Sequence, residues 1–212
     1  MRLRTSLVVC ALFTATAARA AAETAAEAAV EERPVTGSAT AYLYLVPGAP
    51  NFVMVVAPVD IRRVHVEARY NYEALNSGAG FAGFNVGWGD RLKLRVTPMI
   101  GAVVGDLDGW VPALRWTLAC WKLDVYSESE VVIDLAETGD SFFYNWTELG
   151  IAPLPWLRAG IALQRSRIFH TPLDIQRGLF VSATLRFATV SISEFNAFWT
   201  TPTWVVAFGV SF

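Results

Sequence analysis

The chain has 212 residues, is 54% apolar and only 17% charged, and carries a formal net charge of −2. Beyond its first twenty residues the balance is −5, which gives no basis for nucleic-acid binding. Cys120 is the one cysteine in that stretch, so an internal disulfide is excluded.

Arg2 and Arg4 precede the apolar run "SLVVCALFTATA", and Ala18 and Ala20 form an A-x-A site. This is the pattern of a secretory signal peptide over residues 1–20. The run is too short to span a bilayer comfortably as an anchor. Residues 21–37 are rich in Ala and Glu. Glu23, Glu27 and Glu31 lie four apart on one potential helix face, and Pro34 ends the segment. We read it as a periplasmic leader, with a short helix that enters or covers the domain as the sharper alternative.

From Ser38 to Phe212 the chain reads as strand after strand. The expected strands are 38–47, 51–60, 62–74, 82–89, 92–105, 109–121, 122–135, 141–153, 156–169, 177–187, 188–198 and 203–212. In "VHVEARYNYE", Val64, Val66, Ala68, Tyr70 and Tyr72 alternate with His65, Glu67, Arg69, Asn71 and Glu73. Such a period of two gives a strand one apolar and one polar face. Apolar residues this abundant, spread through short alternating segments in an exported chain, point to a closed barrel in a membrane. Only helices and closed barrels satisfy every backbone group in lipid. The connections alternate between short ones ("DIRR", "GDR", "WKL", "PLP", Phe187–Ala188) and longer ones ("PGAP", "EALNSGAGFA", "GDLDG", "AETGDS", "HTPLDIQR", "WTTPT"). Aromatic residues gather near strand ends. Trp88, Trp121, Trp156, Phe187 and Phe212 fall on the short-turn side. Tyr70, Tyr72, Trp110, Phe142, Tyr144, Phe169, Phe198, Trp199 and Trp204 fall on the other. Two interfacial belts explain that placement.

The last strand, "WVVAFGVSF", places Trp204, Val206, Phe208, Val210 and Phe212 on one face. It resembles the C-terminal insertion signal of bacterial outer-membrane β-barrel proteins, the porin-like superfamily. The resemblance implies an all-β, transmembrane, antiparallel up-and-down barrel of about twelve strands, with ten as the alternative count. It also implies a place in the Gram-negative outer membrane. The partners it implies are outer-membrane lipid and the barrel-insertion machinery, which reads the last strand. It specifies neither a particular family nor an oligomeric state.

If the apolar faces meet lipid, the polar faces line the lumen. The expected lining is Glu67, Arg69, Glu73, Lys93, Arg95, Arg115, Asp124, Glu128, Glu130, Glu148, Arg158 and Arg186, six basic and six acidic residues. A balanced set suits cross-lumen ion pairs better than a ring of one sign. Gly87, Gly101, Gly160, Gly178 and Gly209 also fall on inward positions. They would leave room for long side chains or for a passage. Arg165 and Arg167 break the alternation and would face outward near the outer end, where their heads can reach lipid headgroups.

Little else suggests chemistry. His65 and His170 are the two histidines, and with one cysteine they make no zinc pattern. Asp106 and Asp108 in "GDLDG" lack EF-hand spacing. No phosphate-binding or dinucleotide motif appears. No cofactor, metal or catalytic residue is expected. The sequence therefore suggests a narrow channel for small polar solutes or ions, and not an enzyme. A closed barrel with a structural or surface-interaction role is the alternative. A lipid-modifying enzyme using His170, with Ser166 and Asp174 nearby, ranks behind both.

Overall fold

The computed structural model describes residues 35–135, 141–168, 174–196 and 201–212. The expected signal peptide and most of the leader lie outside these residues, as do His170, Phe169, Phe198 and Trp199. The strands are β1 (Val35–Leu45), β2 (Phe52–Ile61), β3 (Val64–Tyr70), β4 (Gly78–Phe84), β5 (Val86–Trp88), β6 (Leu92–Val104) and β7 (Gly109–Cys120). They continue with β8 (Leu123–Asp134), β9 (Phe142–Leu154), β10 (Leu157–Ile168), β11 (Asp174–Leu185), β12 (Ala188–Phe195) and β13 (Thr203–Ser211). β1 begins at Val35, three residues before the expected boundary, and Val35 already pairs with Ile61.

Apart from β4 and β5, each strand pairs antiparallel with its sequence neighbours, and β1 pairs with β13 to close the sheet. β4 and β5 form one wall strand. Both pair with β6 in a single unbroken register, Gly83 with Met99 and Val86 with Val96. The break lies opposite Pro98, which has no N–H to give to the ladder. The architecture is thus a closed, antiparallel up-and-down barrel of twelve wall strands, as the alternation implied. At the seam Gly37 and Phe212 exchange two backbone hydrogen bonds of 2.9 Å, so both ends of the described barrel lie at the short-turn end.

The faces are the reverse of a soluble protein. Val64, Val66 and Tyr70 of β3 are exposed, whereas His65, Glu67 and Arg69 are buried. Around the barrel the exposed side chains are large and apolar, among them Ile100, Leu114, Leu149, Ile161, Leu179, Ile192 and Phe208. Such a wall needs an apolar solvent. Trp88, Trp121, Trp156, Phe187 and Phe212 are exposed near the short turns, and Tyr70, Trp110 and Trp204 are exposed towards the longer connections. Both belts therefore exist in part.

Three aromatic assignments to the far belt are corrected. Tyr144 and Phe142 share the inward face of β9 with Glu148; Tyr144 lines an internal cavity and Phe142 packs on a buried apolar cluster. Tyr72 lies beyond the end of β3. Asn71 adopts a left-handed backbone with φ of 55°, a conformation asparagine tolerates. Its side chain donates to the carbonyl of Val53 and accepts from the N–H of Asn76. That turn breaks the alternation and swings Tyr72 and Glu73 into the barrel.

The outer wall also carries a polar island. Register places Ser127, Ser129, Asn145 and Thr147 on the outward faces of β8 and β9. Asn145 Nδ2 donates to the hydroxyls of Ser127 and Ser129 and to the carbonyl of Glu128, and Thr147 donates to Asn145 Oδ1. Mutual hydrogen bonding lowers the cost of placing these groups in apolar surroundings. Arg165 faces outward on the neighbouring strand, paired with Asn145 and exposed, as its parity requires.

Candidate functional site

The interior is divided. On one side it is filled by a charge cluster centred on Arg69 of β3. Arg69 Nε donates to Glu67 at 2.5 Å, and Nη1 donates to Glu130 at 2.7 Å and to Glu73 at 3.2 Å. Its Nη2 lies 2.7 Å from Glu128. The guanidinium also sits over the rings of Phe81 and Tyr72, at 4.1 and 4.3 Å from their centroids. Arg115 of β7 bridges Glu67 and Glu128, at 2.7 and 2.8 Å. Planar guanidinium forks suit this multiple pairing, which a lysine could not reproduce.

Apolar packing seals more of the interior at the long-loop end. Phe81, Met99, Val103, Val111 and Val132 form one cluster, and Tyr44, Met54, Phe180, Phe195 and Val205 another. The inward glycines serve this packing. Gly101, Gly160 and Gly178 pair across the ladder with Phe81, Phe180 and Phe195. A Cβ on Gly101 would fall 2.5 Å from the Phe81 ring. The missing side chains therefore accommodate phenyl rings on the adjacent strands.

The remaining interior is open. A cavity of about 450 Å³ is walled by Tyr42, Tyr72, Tyr126, Tyr144 and Trp146, with Asp124, Glu148 and Arg158 facing it. Arg158 of β10 reaches Asp124 of β8 with Nη2 at 2.5 Å and Nε at 3.0 Å, and its Nη1 donates to Glu148 of β9. A vestibule of about 230 Å³ shares Tyr44, Met54, Tyr72 and Tyr144 with this chamber and is lined by Glu73, Leu75 and Gln164. The two lie next to each other between the β3–β4 connection and Arg158. Glu73 is 8% exposed, and its Oε2 has no hydrogen-bond partner. Burial is the main reason its carboxyl is pushed above the ordinary glutamate range, with the nearby Arg69 opposing that shift.

At the short-turn end, Asp60 accepts from His65 Nδ1, Asn85 Nδ2 and Arg95 Nη2, each at 2.7 Å. Thr97 donates to Asn85 Oδ1 at 2.7 Å. A smaller hollow of about 170 Å³ lies among these groups.

Most of the residues expected to face inward fall in three separate places. Glu67, Arg69, Glu73, Arg115, Glu128 and Glu130 meet in the charge cluster. Asp124, Glu148 and Arg158 meet at the base of the chamber. Arg95 belongs to the Asp60 network. Lys93 pairs with Ala119 on the inward parity of β6 and is exposed near the short turns. Arg186 is not on the wall. It occupies the β11–β12 turn with φ of 56° and is exposed. The chamber tyrosines were missed, although parity with Glu128 and Glu148 places Tyr126, Tyr144 and Trp146 inward.

These features define a class: the closed antiparallel β-barrel with an apolar outer wall. Among solved structures, the KdgM porin matches with a TM-score of 0.61 at 13% identity, covering 82% of this chain and 99% of its own. The KdgM porin in complex with disordered oligogalacturonate matches with a TM-score of 0.58 at 11% identity, covering 82% and 98%. At such identities the likeness is one of fold. No protein-family profile matches the sequence, and no curated protein aligns with it.

Proposed function

We propose that this protein is a narrow outer-membrane channel for small polar solutes, exported by its N-terminal signal and inserted through its last strand. The observation that carries this reading is the pair of cavities inside the closed wall, a vestibule and a chamber that share Tyr44, Met54, Tyr72 and Tyr144. A twelve-strand barrel filled only for structure would have no need of a 450 Å³ cavity onto which Asp124, Glu148 and Arg158 face. The exposed apolar wall between two aromatic belts supports a place in lipid. The Arg69 cluster supports the alternative, a closed barrel with a structural or surface-interaction role, because it fills much of the same lumen.

Planar-bilayer recording separates the two. The folded barrel is expected to give small, stepwise openings in potassium chloride. A second version should begin at Val35, where β1 starts, so that the leader is removed without cutting the seam. Openings only in the shorter version would make the leader a plug. Silence from both, with folding verified by heat-modifiable gel mobility, would leave the closed barrel.

A further inference from the structure

The geometry points to small organic cations, amines or guanidinium compounds, as the solutes that this chamber selects. The inference rests on the channel reading and names its substrate class. Three independent features of the open side of the lumen support it.

The first is charge. On the open side, Arg158 faces the two carboxylates Asp124 and Glu148 at the chamber base, and Glu73 lies in the vestibule wall. The excess acid creates a negative field in a space with low-dielectric walls, where fields focus. A polyanion would be repelled along the same path.

The second is the wall. Tyr42, Tyr126, Tyr144 and Trp146 surround the space between Glu73 and Glu148. Aromatic faces attract cations and weakly repel anions. The barrel already uses this contact internally, since Arg158 stands 4.6 Å over the Phe180 ring.

The third is an acceptor without a donor. Glu73 Oε2 is buried, unpartnered and set in the vestibule wall. Leaving such an atom unpaired is costly. A solute that brings N–H groups and positive charge satisfies it, and no group of the described wall does so. Glu73 at the mouth and the Asp124–Glu148 pair at the base thus mark two stations for a cation, with aromatic faces between them. Two weak sites in series are what passage requires, since a solute must leave as well as enter.

The test is ion selectivity and block of the full barrel in planar bilayers. In a potassium chloride gradient the reversal potential should show cation preference. Millimolar agmatine should reduce the potassium current, and the same concentration of galacturonate should not. Glu148→Gln removes one charge and Glu73→Gln one carboxyl acceptor, each with little change of shape. Each should weaken agmatine block by about threefold or more. Anion preference, stronger block by galacturonate, or block unchanged in both variants would overturn the cation assignment while the channel stands. A folded but silent barrel would overturn both readings together.

Discussion

Arg69 is the residue on which the filled half of the lumen depends. It is 4% exposed and touches four carboxylates, so its removal leaves Glu67, Glu73, Glu128 and Glu130 facing one another with only Arg115 nearby. Breaking a buried charge pair by deleting one partner costs about 3–5 kcal/mol. Arg69→Met should therefore lower the urea midpoint of the barrel in lipid vesicles by a corresponding amount. Arg165→Ala is the contrast, since the side chain is exposed; it should change stability by about 0.5 kcal/mol or less. That Arg69 points inward could be read from the parity of "VHVEARY". That Tyr72 also turns inward could not, because the left-handed Asn71 resets the alternation where a sequence pattern counts straight on.

Among the elements, the glycine–phenylalanine ladder pairs link local sequence to packing. Phe81 of β4 lies over Gly101 of β6, Phe180 of β11 over Gly160 of β10, and Phe195 of β12 over Gly178 of β11. Without the glycine the ring has nowhere to lie. Gly101→Val should cost about 1–3 kcal/mol through overpacking, read from the same urea midpoint. Phe81→Ala in the Gly101→Val background should recover part of that loss, because it removes the clashing ring. The inward placement of these glycines was legible from parity. Their partners were not, because a ladder pair depends on the register between two strands.

The molecule as a whole is a wall with an unevenly filled interior. Ion pairs and two apolar clusters occupy part of it, and the tyrosine chamber, the vestibule and the hollow near Asp60 stay open. Arg158 braces the chamber base by holding β8 and β9 residues from β10. Arg158→Ala removes that brace and should raise single-channel conductance by about twofold, since a charged constriction sets passage through a narrow lumen. An unchanged conductance would place the narrowest point elsewhere, with the Asp60–His65–Arg95 network as the next candidate.

By itself the sequence determined the barrel class, its strands to within a few residues and the alternation of an apolar with a polar face. All of these follow from a period of two and from interfacial aromatics, which are local properties of a strand. Only the tertiary structure decided which inward groups meet. Arg69 and Glu130 are 61 residues apart and are joined only because closure brings β3 and β8 across one lumen. The balanced list of inward residues divides unevenly in space: Lys93 and Arg95 lie towards the short turns and Arg186 in a turn, which leaves Arg158 with Asp124 and Glu148 at the chamber.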